Sequence, residues 1–205
     1  MGQNIHTIYT IGHSNHTAEK FVGLLQRYNI DVVVDIRSAP YSRYSPQFNK
    51  ETLSVVLQNN RIEYLFLGNE LGARPQDKSC YINHKVSFEK IKQTRPFQEG
   101  IQKVLKVACE HTIALLCSEK DPMACHRVIL VARVLVEKGS VLKHILEDGS
   151  VLEHSQLESQ LVKKLHLEPT FFGTEKELIQ DAYEIQGEKI ACLMQQEEME
   201  DCRSV

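Results

Sequence analysis

Apolar positions along the chain alternate between two periods. Residues 5–12, IHTIYTIG, are β-branched and aromatic and stop at a glycine, which predicts a strand. AEKFVGLLQRYNI follows with apolar residues at 21, 22, 24, 25 and 28, one face of a helix, and Ser14 and Thr17 stand before it as candidate caps. DVVVDIRS holds three consecutive valines, the near-continuous run of a strand covered on both faces, and gives way to the Pro- and Ser-rich loop SAPYSRYSPQF. NKETLSVVLQNN predicts a helix entered through Asn49 as N-cap. IEYLFLG predicts another strand, followed by a polar connection from Asn69 to about Pro96 with room for short helical pieces. FQEGIQKVLKVACEH has the spacing of an amphipathic helix, TIALLC reads as a buried strand, and ACHRVILVARVLVEKG reads as a strongly apolar helix ending at Lys138 and Gly139. VLKHILEDGSVLEH sets Asp148 and Gly149 between two alternating runs, the composition of a hairpin.

Strands alternating with helices predict a single α/β domain with a mostly parallel sheet flanked by helices, closed by an antiparallel edge hairpin. The expected domain covers residues 1–165, and residues 166–205 form an acidic C-terminal helical tail, expected to pack loosely. That tail holds 10 acidic and 3 basic side chains, so a tail at −7 leaves the body at +4. Such a body suits a phosphate-bearing ligand but falls short of the basic stripe of a dedicated nucleic-acid binder. With 42% apolar and 25% charged residues the composition is that of a globular protein. No apolar run approaches the roughly 18 residues of a spanning helix and the N-terminus has no leader pattern, so the expectation is a cytoplasmic protein with no membrane partner. Six cysteines without a CxxC pair fit reduced thiols.

In parallel sheets ligands bind at the carboxyl ends of the strands. The polar residues following each predicted strand therefore pool into one candidate site: His13 and Ser14, Asp35, Arg37 and Ser38, Asn69 and Glu70, then Cys117, Ser118 and Glu119. The segment LLCSEKDPMACHR concentrates the chemistry. It offers a thiol at a strand end, a carboxylate two residues later, and Cys125, His126 and Arg127 where a helix is expected to open. A helix N-terminus attracts anions and lowers a nearby thiol pKa, and His126 and Arg127 would add to that field, so either Cys117 or Cys125 is a candidate nucleophile. Glu119, His126 and His13 are candidate acid–base groups. Arg37, Arg43 and Arg127 are candidate anion ligands, with Ser14, Asp35, Asn69 and Glu70 as further substrate contacts. Each has a plain structural alternative: filler thiols, an Asp35–Arg37 ion pair, a capping Ser14, a salt-bridged Glu70, a surface Arg43.

A metal site is the alternative for two Cys, one His and one Glu within ten residues. Neighbouring Cys125 and His126, if both helical, would point about 100° apart and not share an ion, so no metal or other cofactor is expected. Neither a dinucleotide fingerprint nor a P-loop is present.

TIGHSN, VVDIRSAPYSRYSPQFN, YLFLGNELGARP and LLCSEKDPMACHR, in that order, resemble the domain of unknown function 488 family over roughly residues 5–160. The resemblance implies a compact α/β domain with signature residues at His13, Ser14, Asp35, Arg37, Pro40, Ser42, Arg43, Phe48, Gly68, Glu70, Leu71, Gly72, Cys117, Glu119, Pro122, Cys125, His126 and Arg127; it implies no reaction. The expected function is that of an enzyme acting on a small anionic, nucleotide-like or phosphate-bearing substrate. A nucleic-acid-associated module and a thiol-metal protein are the alternatives, and the oligomeric state is open.

Overall fold

The computed structural model describes residues 6–169 and 174–191. In chain order the strands are β1 (Thr7–Gly12), β2 (Val32–Asp35), β3 (Glu63–Phe66), β4 (Tyr81–Ile82), β5 (Lys85–Val86), β6 (Ile113–Cys117), β7 (Val141–Ile145) and β8 (Val151–Glu153). Six of them form one sheet in the order β3-β2-β6-β1-β7-β8, all parallel except β8, which runs back along β7. β4 and β5 make a separate antiparallel ribbon. The helices are α1 (Ala18–Arg27), α2 (Lys50–Asn59), α3 (Gly68–Leu71), α4 (Phe88–Gln93), α5 (Arg95–Ala108), α6 (Arg133–Glu137), α7 (His154–Lys164) and α8 (Glu175–Ile190). None of the helices among the described residues is long and apolar enough to cross a membrane.

The valine run explains itself once both faces are seen. Val33 packs with Phe21 and Leu25 of α1 and Leu53 and Leu57 of α2, while Val32 and Val34 pack with Phe97, Ile101 and Val104 of α5 and Leu135 of α6. Because successive strand residues point to opposite faces, a strand between two helical layers must be apolar throughout. The same holds for β6, with Ala114 and Leu116 on the first face and Ile113 and Leu115 on the second.

The connections β1–α1–β2 and β2–α2–β3 step toward one edge, whereas the chain leaving β6 steps toward β7 on the other side of β1. Connections diverging from the sheet centre open a crevice outside the carboxyl ends of β1, β2 and β6.

Several local expectations are corrected. Thr17, not Ser14, caps α1, accepting the Lys20 N–H, and Ser14 sits at φ 44 in the left-handed region. Asn49 stands at the N-cap of α2, yet its Oδ1 accepts the Ser42 N–H at 2.7 Å and so fastens the loop instead of the helix. The apolar helix expected from residue 124 begins only after Cys125. Pro122 and the Asp121 side chain, which accepts the Met123 N–H, start a separate 3-10 turn over Pro122–Ala124, and Cys125 is extended at φ −132, ψ 137. Residues Arg127–Ala132 then wind as a π-helix, with the Arg133 N–H bonded to the Val128 carbonyl, before α6 resumes the α form.

The tail is better anchored than expected. Thr174 and Glu177 form a reciprocal capping box at the start of α8, and Ala182 and Tyr183 are buried against Val128, Ile129, Leu157 and Leu161. Gln186 Nε2 donates to the Met123 carbonyl at 2.8 Å. The tail beyond residue 191 lies outside the described residues.

Candidate functional site

At the end of β6 four side chains converge. Cys117 Sγ lies 2.7 Å and Cys125 Sγ 3.0 Å from Glu119 Oε2, and Cys117 Sγ lies 3.5 Å from His126 Nδ1. All four potential ligand atoms fall within 4.8 Å of one another. The backbone makes this possible. His13 and Ser14 N–H groups donate to the Cys117 and Ser118 carbonyls, each at 3.0 Å, extending the β1–β6 ladder past the strand ends. Gly12 supplies the space above, since a Cβ there would sit 2.0 Å from the Glu119 carbonyl oxygen. From below, Arg127 Nη1 and Nη2 donate to the Glu119 and Lys120 carbonyls at 2.6 and 3.2 Å. Arg127 is fully buried in this role, so it is a structural clamp on the loop, not the anion ligand expected from its sequence position.

The two thiols are driven apart in acidity. Burial raises Cys117, and the bond and charge of Cys125 and the charge of Glu119 raise it further, against Arg127. Burial would raise Cys125 as well, but the hydrogen bond from Cys117, the Arg127 charge and His126 outweigh it and pull this thiol well below its ordinary value. The pair therefore titrates as a unit, with the first negative charge held at Cys125. Burial works against a charged His126, yet Cys125, Glu119 and the bond to the Ile36 carbonyl raise it. His126 Nε2 donates to that carbonyl at 3.1 Å, which leaves Nδ1 facing the sulfurs.

Beside the cluster lies a recess of about 170 Å³ lined by Arg37, Ser38, Ala39, Ala73, Arg74, Cys117, Ser118, Glu119 and His126. Arg37 borders it with Nε and Nη2 already engaged by Asp35, at 2.9 and 2.6 Å, and Nη2 also donates to the Phe48 carbonyl at 2.9 Å. Asp35 is fully buried and also accepts the Tyr64 hydroxyl at 2.6 Å. The Asp35–Arg37 pair is thus a rigid floor of the site. Arg74 is the cation of the recess wall that sequence reasoning missed: it lies in a loop beyond α3, not at a strand end, and its N–H donates to Ser38 Oγ at 3.0 Å. Tyr64 was missed because its signal is the β2–β3 register, which aligns it with Val33.

Other expected residues lie elsewhere. His13 is buried, stacked on Phe48 at 4.4 Å, with Nδ1 bonded to the Ser14 carbonyl at 3.0 Å and a pKa pushed by burial down to about 4. Ser14 contributes its backbone N–H to the loop. Asn69 and Glu70 line a neighbouring cleft of about 340 Å³ that shares only Ser38 and Arg74 with the recess. Glu70 pairs there with Lys103 at 2.6 Å, the salt-bridge alternative. Arg43 is exposed in its loop and does not line the recess.

Residues 17–134 match the family described as domain of unknown function DUF488. No curated protein and no solved structure matches the chain.

Proposed function

Because the chain belongs to the domain of unknown function DUF488 family, which brings a fold but no reaction, we propose from the site itself that it is a cysteine-dependent enzyme acting on a small anionic substrate. The observation that carries this is a recess lined by the Cys117 thiol, the His126 imidazole and the Glu119 carboxylate together with Arg74 and Ser38, with the Cys125 thiol within reach of Glu119 behind that lining. Arg74 holds the anionic group, as a guanidinium fork suits phosphate or carboxylate oxygens. Glu119 Oε2, 2.7 Å from Cys117 Sγ, takes the thiol proton. The Cys117 sulfur then bonds to the substrate's electrophilic atom, and the departing group leaves with the proton carried by Glu119. The negative charge kept at Cys125, beside Arg127, holds the His126 imidazole in place. The size of the recess admits a phosphate- or carboxylate-sized group, with any larger part of the substrate extending into the cleft beyond Ser38.

Alkylation with iodoacetamide, mapped by mass spectrometry of the peptides carrying each cysteine, tests this reading. Cys117 should react several-fold faster than Cys80, which is fully buried in the apolar core. Inorganic phosphate should slow it, and Arg74→Ala should remove the protection without slowing the alkylation. A Cys117 as inert as Cys80 in the folded protein sinks the proposal.

A further inference from the structure

We infer that Cys117 Sγ, Cys125 Sγ, His126 Nδ1 and the Glu119 carboxylate form a binding site for a thiophilic divalent cation of the zinc type. The inference shares its four side chains with the proposed enzyme site but has its own evidence. Donor atoms around tetrahedral zinc, at about 2.0–2.3 Å from the ion, stand about 3.3–3.8 Å from one another. The 3.5 Å between Cys117 Sγ and His126 Nδ1 already has that spacing. The two contacts of Glu119 Oε2 with the sulfurs, 2.7 and 3.0 Å, are shorter, so an entering ion pushes the carboxylate outward by several tenths of an ångström. Glu119 is an exposed residue on the open side of the cluster and has room to give.

The surroundings of the donors point the same way. A histidine that ligates a metal commonly donates its other ring N–H to a carbonyl, which fixes the tautomer and aims the free lone pair. His126 does this, with Nε2 on the Ile36 carbonyl at 3.1 Å and Nδ1 turned to the cluster. The Arg127 backbone N–H approaches Cys125 Sγ at 3.4 Å, a contact that stabilises a thiolate ligand. The objection drawn from sequence, that consecutive Cys125 and His126 diverge on a helix, fails because Cys125 is extended and only His126 is helical. Two sulfurs, one imidazole nitrogen and one carboxylate oxygen select zinc-like ions over calcium or magnesium, which take oxygen donors. With the ion in place both sulfurs are ligands and neither is free to attack, so occupancy governs whether the site performs thiol chemistry.

The test is titration of chelator-treated, full-length protein with cobalt(II). Binding gives a near-ultraviolet thiolate-to-cobalt charge-transfer band and visible bands of tetrahedral intensity, and zinc abolishes both by displacement. Zinc should also suppress iodoacetamide labelling of Cys117 and Cys125. Cys125→Ser should lose about half of the charge-transfer intensity, because one of the two thiolate ligands remains. If that variant does not fold by circular dichroism, Glu119→Gln, at an exposed position, should shift the visible bands and weaken binding. Absence of a charge-transfer band in the folded native protein, or bands unchanged in both variants, overturns the inference. If the bands are absent while phosphate still protects Cys117, the metal site alone falls. If the bands form although Cys117 is inert in the chelated protein, the metal site stands and the enzyme reading falls.

Discussion

Gly12→Ala tests how the site loop is held. The added Cβ would lie 2.0 Å from the Glu119 carbonyl oxygen, 2.9 Å from its carbon and 3.2 Å from Arg127 Nη1. Backbone cannot approach a methyl group so closely, so the loop must retreat by an ångström or more. That movement stretches the His13 N–H bond to the Cys117 carbonyl and the Ser14 N–H bond to the Ser118 carbonyl, and it displaces the Glu119 carbonyl from Arg127 Nη1. Losing two or three hydrogen bonds at about 1 kcal/mol each, with overpacking at about 1–3 kcal/mol, gives a cost of about 3–6 kcal/mol. For a chain of this size that lowers the melting temperature by roughly 10 °C. Gly23→Ala is the matched control. It lies inside α1, its Cβ would meet nothing within 4 Å, and it should stabilise the protein by about 0.5–1 kcal/mol through helix propensity. Urea unfolding followed by circular dichroism measures both. A Gly12→Ala protein within about 1 kcal/mol of the parent would refute the claim that the glycine makes room for the loop.

Asp35→Asn keeps the shape of the side chain but leaves the Arg37 guanidinium buried without its counter-charge, and should cost about 3–5 kcal/mol in urea unfolding. Lys103→Ala, which breaks the largely solvated pair with Glu70, should stay within about 1 kcal/mol; equal costs would contradict the burial argument. Acid should also destabilise the fold through His144. Burial, then the neighbouring His154 and Arg127, hold its pKa at about 2, between Thr10 Oγ1 at 2.9 Å and His154 at 3.0 Å. A folded pKa below the unfolded one means stability present above about pH 6.5 and lost as pH falls toward the folded value, at about 1.4 kcal/mol per pH unit. Between about pH 6 and 5, His144→Gln should flatten the slope of unfolding free energy against pH by about one proton; parallel slopes would show that the histidine titrates alike in both states.

The sequence conveyed the sheet through particular runs. VVVD and TIALLC are apolar at every position because helices cover both faces, and this is legible without knowing the strand order. The strand order is what decides the rest. Arg127 reads as an anion ligand until β1 is seen beside β6, which brings Gly12 and the Glu119 carbonyl over it. Glu70 reads as a strand-end acid until α5 places Lys103 against it. Cys125 reads as helical from the apolar run after it, because the run carries no mark that the Pro122 turn closes first. The docking of α8 is hidden in an acidic sequence in which Ala182, Tyr183 and Gln186 are buried and Ile179 and Ile190 pack half-buried beside them.

The π-helix between Arg127 and Ala132 has a further consequence. Hydrogen bonds spanning five residues instead of four accommodate one residue more than an α-helix of equal length. The segment thus behaves as an α-helix that has absorbed a single-residue insertion. Excising one residue there would let the α form run through unbroken and rotate everything before it by about 100° relative to α6. Cys125 and His126 stand directly upstream, so their facing toward Cys117 depends on that surplus residue. Chain length here, as well as residue identity, sets the aim of the site.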